Sequence, residues 1–356
     1  MNKTLGVFAF AVLVAAAVPC QPAETVEATL QGQKVEGYPF TDVHRQMHLL
    51  GRDGRLWELD PDQAASLKSV SSPFRPDSLS EFRAALLREL GNDYEVSATG
   101  HYVIAHPRGQ RDRWAERFED LYRSFVRYFS VRGLTPGNPL FPMVGVVCRN
   151  RGDFARHATM QGGVPGSVLG YYDIDSNRLN IYDMGGGSNP ANWRKNAAVL
   201  IHEATHQTAF NTGVHSRFSR PPVWLAEGLA MLFEAPGVYD SHAYPQSSDR
   251  VNRDRLRVFR QSLAPRHRPE ILASMIASDA MFQSNPGAAY AEAWALTFFL
   301  VETQPQKYVQ YLRRTASHGA YETLTPAERT AEFAGIFGAD WRMLEAQFLR
   351  FMADVK

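Results

Sequence analysis

Apolar positions in this chain fall first into short blocks bounded by Gly, Asn and Asp. Beyond residue 190 they recur every three or four residues over long stretches. Met47-His48-Leu49-Leu50 and Leu56-Trp57-Glu58-Leu59 flank Gly51-Arg52-Asp53-Gly54, which predicts a β-hairpin. Phe82, Leu86, Leu87 and Leu90 are spaced as on a helix over residues 79–91. Tyr94-Glu95-Val96 and Tyr102-Val103-Ile104-Ala105 read as a strand pair, and Met143-Val144-Gly145-Val146-Val147 as a buried strand. Between them, Trp114, Phe118, Leu121, Phe125 and Phe129 mark one helical face. A second hairpin is expected from residues 168–173, a turn at Asp175-Ser176-Asn177, and residues 179–182. The next helix opens with Asn189 as N-cap and Pro190 in its first turn, and stops near Gly213. Another starts at Pro221-Pro222 and ends before Pro236-Gly237; from Asp254 the chain is mostly helical, with breaks at Pro326 and Gly338. Strands dominate before residue 190 and helices after it, which is an α+β arrangement.

The termini of this pattern bear on location. Lys3 followed by an apolar run over residues 5–18 and by Ala15-Ala16-Ala17 reads as a signal peptide, residues 1–19. The run is shorter than the roughly 20 residues of a membrane span, and no other stretch approaches that length, so the mature chain has no expected transmembrane span. Cys20 follows the run directly, as in a lipoprotein signal, although Pro19 stands where such signals carry a small residue. A lipid anchor at Cys20 and simple secretion both remain open, and either puts the protein in the periplasm or the cell envelope. Residues 21–35, rich in Glu, Gln and Thr, read as a polar linker. Cys148 closes an apolar strand and reads as a small buried residue; a bridge to Cys20 is the alternative.

Of 356 residues, 44% are hydrophobic, enough for one large domain or two modest ones. The 38 Lys and Arg nearly balance 37 Asp and Glu, so no basic field favours nucleic acid. The densest basic stretch, residues 250–268, contains Asp254 and Pro265 and reads as a solvated helix and loop.

The chemistry is concentrated in Val199-Leu200-Ile201-His202-Glu203-Ala204-Thr205-His206-Gln207. His202 and His206 stand four residues apart, so one helix face carries both imidazoles, at a spacing that lets two nitrogens bind one zinc ion. Glu203 is rotated by about 100° around the helix and is free to act as a general base toward a water at that ion. The preceding residues, Ala197 to Ile201, are apolar, so these polar groups are expected to be partly buried and to need partners. A third ligand is Glu227, a single carboxylate within Val223-Trp224-Leu225-Ala226-Glu227-Gly228-Leu229-Ala230. Two His and one Glu leave one position open, the pattern of a catalytic rather than a structural zinc.

His-Glu-x-x-His on one helix with Trp-Leu-Ala-Glu-Gly-Leu-Ala on the next resembles the gluzincin peptidases, and most of all their peptidase-MA-like, thermolysin-like branch of secreted bacterial proteins. The resemblance covers residues 140–305. It implies one zinc per chain held by His202, His206 and Glu227, Glu203 as base, an edge strand that aligns an extended peptide or protein substrate, and a thermolysin-like core. The hairpin ending Leu179-Asn180-Ile181-Tyr182 fits the edge-strand role. It divides the chain into the leader, an N-terminal linker and α/β region over residues 20–130, and a metallopeptidase domain over residues 131–356. Thermolysin-like enzymes carry an acid four residues after the glutamate ligand; Met231 stands there, and Glu234 either substitutes for it behind His202 or is an ordinary helix-end residue. Tyr290 matches the family's downstream tyrosine that stabilises an oxyanion, or else stacks on Trp294 as a core aromatic. The metzincin pattern fails, since Ala209 and Thr212 occupy its later positions, and His215, out of register, is expected at the surface.

The leading expectation is zinc-dependent hydrolysis of peptide bonds in the envelope. Its rivals are a zinc hydrolase of a non-peptide, cell-wall amide and a non-catalytic envelope binding protein on the same fold.

Overall fold

The computed structural model describes residues 24–160, 168–185, 190–266 and 269–356; the expected leader, Cys20 and the cap at Asn189 lie outside them. The stretch expected as a polar linker is folded. It supplies β1 (Glu24–Leu30) and the start of β2 (Gln33–Thr41), which join β3 (Met47–Gly51), β4 (Leu56–Glu58) and β5 (Lys68–Pro73) in an antiparallel sheet of order β4-β3-β2-β1-β5. Its Glu, Gln and Thr mask a period of two: Val26, Ala28 and Leu30 point the same way and are buried with Leu49 and Leu59. The opposite face brings Leu50, Leu56 and Phe40 against Phe141 and Phe218 of the rest of the chain.

A second sheet, of order β6-β7-β8-β10-β9, carries the chemistry. It comprises β6 (Tyr94–Ala98), β7 (Tyr102–Pro107), β8 (Met143–Cys148), β9 (Gly170–Asp173) and β10 (Arg178–Tyr182). β7, β8 and β10 run parallel, and β6 and β9 are antiparallel edges. A parallel pair needs a long crossover. Helix Arg111–Ser130 supplies it between β7 and β8, with the expected face of Trp114, Phe118, Leu121, Phe125 and Phe129 buried. This sheet therefore straddles the boundary expected at residue 130, because β6 and β7 come from before it.

Both faces of β8 are covered, which explains its unbroken apolar run. Val144, Val146 and Cys148 pack with Phe82, Leu86 and Phe154 from helices Leu79–Leu90 and Arg151–Met160. Met143 and Val147 face the larger core, beside Leu200 and Phe118. Cys148 is buried and has no disulfide partner among the described residues. The rest of the chain is helical and packs around helix Pro286–Thr303, buried along most of its length. The protein is thus α+β with two sheets and a helical C-terminal half, and no helix among the described residues is long and apolar enough to cross a membrane.

Candidate metal centre

Helix Pro190–Asn211, which carries the His-Glu-x-x-His motif, is fixed on the sheet by buried polar side chains. The Gln207 amide donates to the carbonyls of Val144 (3.0 Å) and Asn177 (2.9 Å). Tyr102 and Thr208 share a hydroxyl bond of 2.9 Å, and Asn211 donates to Asn177 Oδ1 at 2.7 Å. Asn177 adopts φ 58° in the β9–β10 turn, a left-handed conformation that Asn tolerates better than most residues. These bonds fix the rotation of the helix about its axis, and so the direction of the two histidines.

Helix Val223–Phe233 brings Glu227 to them. It approaches helix Pro286–Thr303 backbone to backbone at Gly228, where a Cβ would lie 2.1 Å from Thr297 Oγ1 and 2.6 Å from the Ala293 carbonyl oxygen. Three ligand atoms converge as a result. His202 Nε2 lies 3.2 Å from His206 Nε2 and 3.3 Å from Glu227 Oε2, and His206 Nε2 lies 3.5 Å from Glu227 Oε1.

Glu234 settles behind His202. Its Oε1 accepts from His202 Nδ1 at 2.8 Å, and its Oε2 accepts from the Asn252 amide at 2.7 Å. Burial opposes ionisation of Glu234, but the bond and charge of His202, with Arg255 and Asn252, hold it below the ordinary carboxylate range. A carboxylate only accepts, so Nδ1 donates its proton to Glu234, and Nε2 is the nitrogen that faces His206 and Glu227.

This donor set fits a zinc ion. Glu227 Oε2 is buried and finds no hydrogen-bond partner. Burial opposes its charge too, yet the charge of His206 and the close approach of both imidazoles lower its pKa far below the ordinary value. Burial likewise opposes charge on His202, while Glu227, Glu234 and Glu203 raise its pKa well above that of a free imidazole. Three donor atoms around one point, inside a ring of carboxylates, call for a cation. Two imidazole nitrogens and one carboxylate oxygen are the ligand chemistry of a catalytic zinc.

The remaining expected residues are arranged around this point. Glu203 is half-buried, and its Oε2 accepts the Tyr172 backbone N–H at 2.9 Å. Tyr172 lies on β9, the first strand of the expected hairpin and the edge of the sheet beside the motif helix; its second strand, β10, is enclosed between β8 and β9. Tyr290 is half-buried and does not stack on Trp294. Its ring meets Phe282 edge-on at 5.4 Å, while Trp294 stacks on Phe298. Burial first, then the charges of Glu227 and Glu203, push the Tyr290 phenol up to about 12.

His215 departs from expectation: it is buried at 1% exposure. The chain reverses at Gly213 (φ 75°), and the His215 N–H donates to the Ala209 carbonyl at 2.9 Å, which turns the ring inward beside Phe210.

Residues 196–321 match a family described as "Protein of unknown function (DUF1570)". The match spans His202, Glu203, His206, Glu227, Glu234, Asn252 and Tyr290, and leaves out Tyr172 and the sheet residues that hold the motif helix. No curated protein matches the chain.

Sequence reasoning missed Tyr172 N–H and Asn252. The first is a backbone group with no residue signature. The second could have been found as an Asn preceding a helix: Asn252 caps helix Arg253–Val258, accepting from Arg255 N–H at 3.2 Å.

Proposed function

We propose that this chain is a zinc-dependent hydrolase of peptide bonds, built on a thermolysin-like core and exported to the cell envelope, with the lipid anchor at Cys20 as one form of attachment. The convergence of His202, His206 and Glu227 on one point, with Glu203 beside them on the same helix, carries the reading. Zinc held there would supply Lewis-acid activation of a water and polarisation of the scissile carbonyl. The chain's own residues supply the rest. Glu203 accepts a proton from the attacking water and returns it to the leaving nitrogen. The Tyr172 N–H orients that carboxylate through Oε2, leaving Oε1 for the water. Glu234 fixes the tautomer and ring plane of His202. The Tyr290 hydroxyl, kept protonated by its surroundings, donates to the oxyanion that forms on the carbonyl. The outward edge of β9 offers main-chain groups to an extended peptide.

The test is metal content by mass spectrometry on protein lacking residues 1–20. About one zinc per chain is expected, lost in Glu227→Ala and kept in Glu203→Gln, with hydrolysis abolished in both. Activity retained in Glu203→Gln would overturn the mechanism. Substrate panels of unfolded protein and of peptidoglycan separate peptide from cell-wall amide hydrolysis. Zinc without turnover on either supports a binding protein instead.

A further inference from the structure

Beside the metal centre stands a guanidinium with no anionic partner. Arg255, half-buried, holds its guanidinium carbon 5.6 Å from the centre of the Tyr290 ring. Among the described residues no carboxylate lies within ion-pair distance of it and its side chain makes no hydrogen bond. Glu234 is the acid whose field it reaches, but both Glu234 oxygens are taken, by His202 and Asn252.

The position of Arg255 is coupled to the ligand set. Asn252 caps the helix that carries it and, with its amide, holds the carboxylate that orients His202. The Tyr290 hydroxyl likewise has no hydrogen-bond partner among the described residues. Arg255 and Tyr290 therefore present unused donors side by side on one wall of the site, while Glu203, Glu227 and Glu234 make its floor anionic.

A guanidinium lying over an aromatic face, with no other partner, has N–H groups left to donate, and their fork matches a carboxylate. From this arrangement, and resting on the hydrolase reading above, we infer that Arg255 recognises a carboxylate of the substrate. Two sources share that chemistry: the free C-terminus of a peptide, and an Asp or Glu side chain near the scissile bond. In both cases the recognised anion sits where the acidic floor would otherwise repel it. Arg255 is thus a specificity residue that acts on binding rather than on the proton transfers.

Affinity selection tests this on zinc-loaded Glu203→Gln protein, which binds without turnover. Three pools of short N-acetylated peptides are compared by mass spectrometry of the retained fraction. One has free C-termini and no acidic residues, one is its C-terminal amide, and one is an amide pool containing Asp or Glu. Retention of the first or third pool about 10- to 100-fold above the plain amides is expected. Whichever pool is favoured identifies the source of the carboxylate. The preference should vanish when Arg255→Gln is added and persist in part in Arg255→Lys, with zinc content and thermal stability of both unchanged. Equal retention of all pools, or a preference that survives Arg255→Gln, overturns the inference. Wild-type cleavage of the same pools is scored separately. Cleavage without carboxylate preference removes the role of Arg255 alone, whereas an Arg255-dependent preference without cleavage removes the hydrolase reading alone.

Discussion

At the scale of single residues, the histidines and carboxylates near the motif differ in what their surroundings ask of them. His202 is held at both nitrogens, and its Nδ1 partner Glu234 is itself held by Asn252. Removing Glu234 frees the ring to rotate and to change tautomer. Glu234→Ala is expected to weaken zinc binding about 10- to 100-fold while the fold persists, measured by competition with a chelator. Affinity equal to wild type would reduce Glu234 to a helix-end residue. His215 behaves in the opposite way. Both its ring nitrogens are buried without a partner, and burial, helped by His206, pushes its pKa down to about 3. Between that value and the ordinary 6.5, the unfolded chain binds a proton that the folded chain refuses. The shift therefore costs no stability above about pH 6.5 and destabilises the fold increasingly as pH falls through this window. Chemical denaturation across it should show a shallower loss of stability in His215→Leu than in wild type, by up to one proton's worth of slope. Parallel curves would show that the ring is protonated in the folded state.

At the scale of elements, two helices meet so closely that a hydrogen is all that fits between them. Gly228, next to Glu227, the proposed third ligand, faces the backbone of helix Pro286–Thr303 at Ala293, a contact that cannot yield by rotating a side chain. Gly228→Ala must separate the helices, at a cost of about 1–3 kcal/mol. The same displacement moves Glu227 away from the histidines, so stability and zinc affinity should fall together, by denaturant titration and chelator competition. An alanine that leaves both unchanged would contradict the packing.

This is also the scale at which sequence and structure part company. The motif helix, the crossover helix and β8 were legible because their apolar periods are long or unbroken. β1 was not, since Glu24, Thr25, Glu27 and Thr29 hide an alternation of only three small apolar residues. Glu227 could be picked out as a lone charge in an apolar run. Arg255, among many arginines, could not, because its significance comes from Tyr290, which lies 35 positions along the chain.

At the scale of the molecule, the N-terminal sheet is tied to the rest by groups drawn from far along the sequence. Arg217, buried, donates to the Gly54 carbonyl at 2.8 Å and to the Ile174 carbonyl at 2.7 Å, joining the β3–β4 turn to the β9–β10 turn. Leu56 N–H reaches the Asp175 carbonyl at 2.7 Å, and Val43 N–H the Ala320 carbonyl at 3.1 Å. His48 lies flat on Tyr321, with ring centres 4.3 Å apart, and Phe40 stacks on its other side at 5.1 Å. These contacts impose an order on assembly. A chain made from its N-terminus presents residues 24–73 first; Phe218, which meets Phe40, comes much later, and Tyr321, which covers the His48 ring, later still. Until Tyr321 has emerged, the part of this sheet's face around His48 stays open to solvent and to other nascent chains, the circumstance in which helpers that hold unfinished chains are most needed. Released chains truncated near residue 316 should therefore be cut by protease between residues 38 and 50, and released chains ending beyond 325 should resist; equal resistance would mean that the first sheet completes itself unaided.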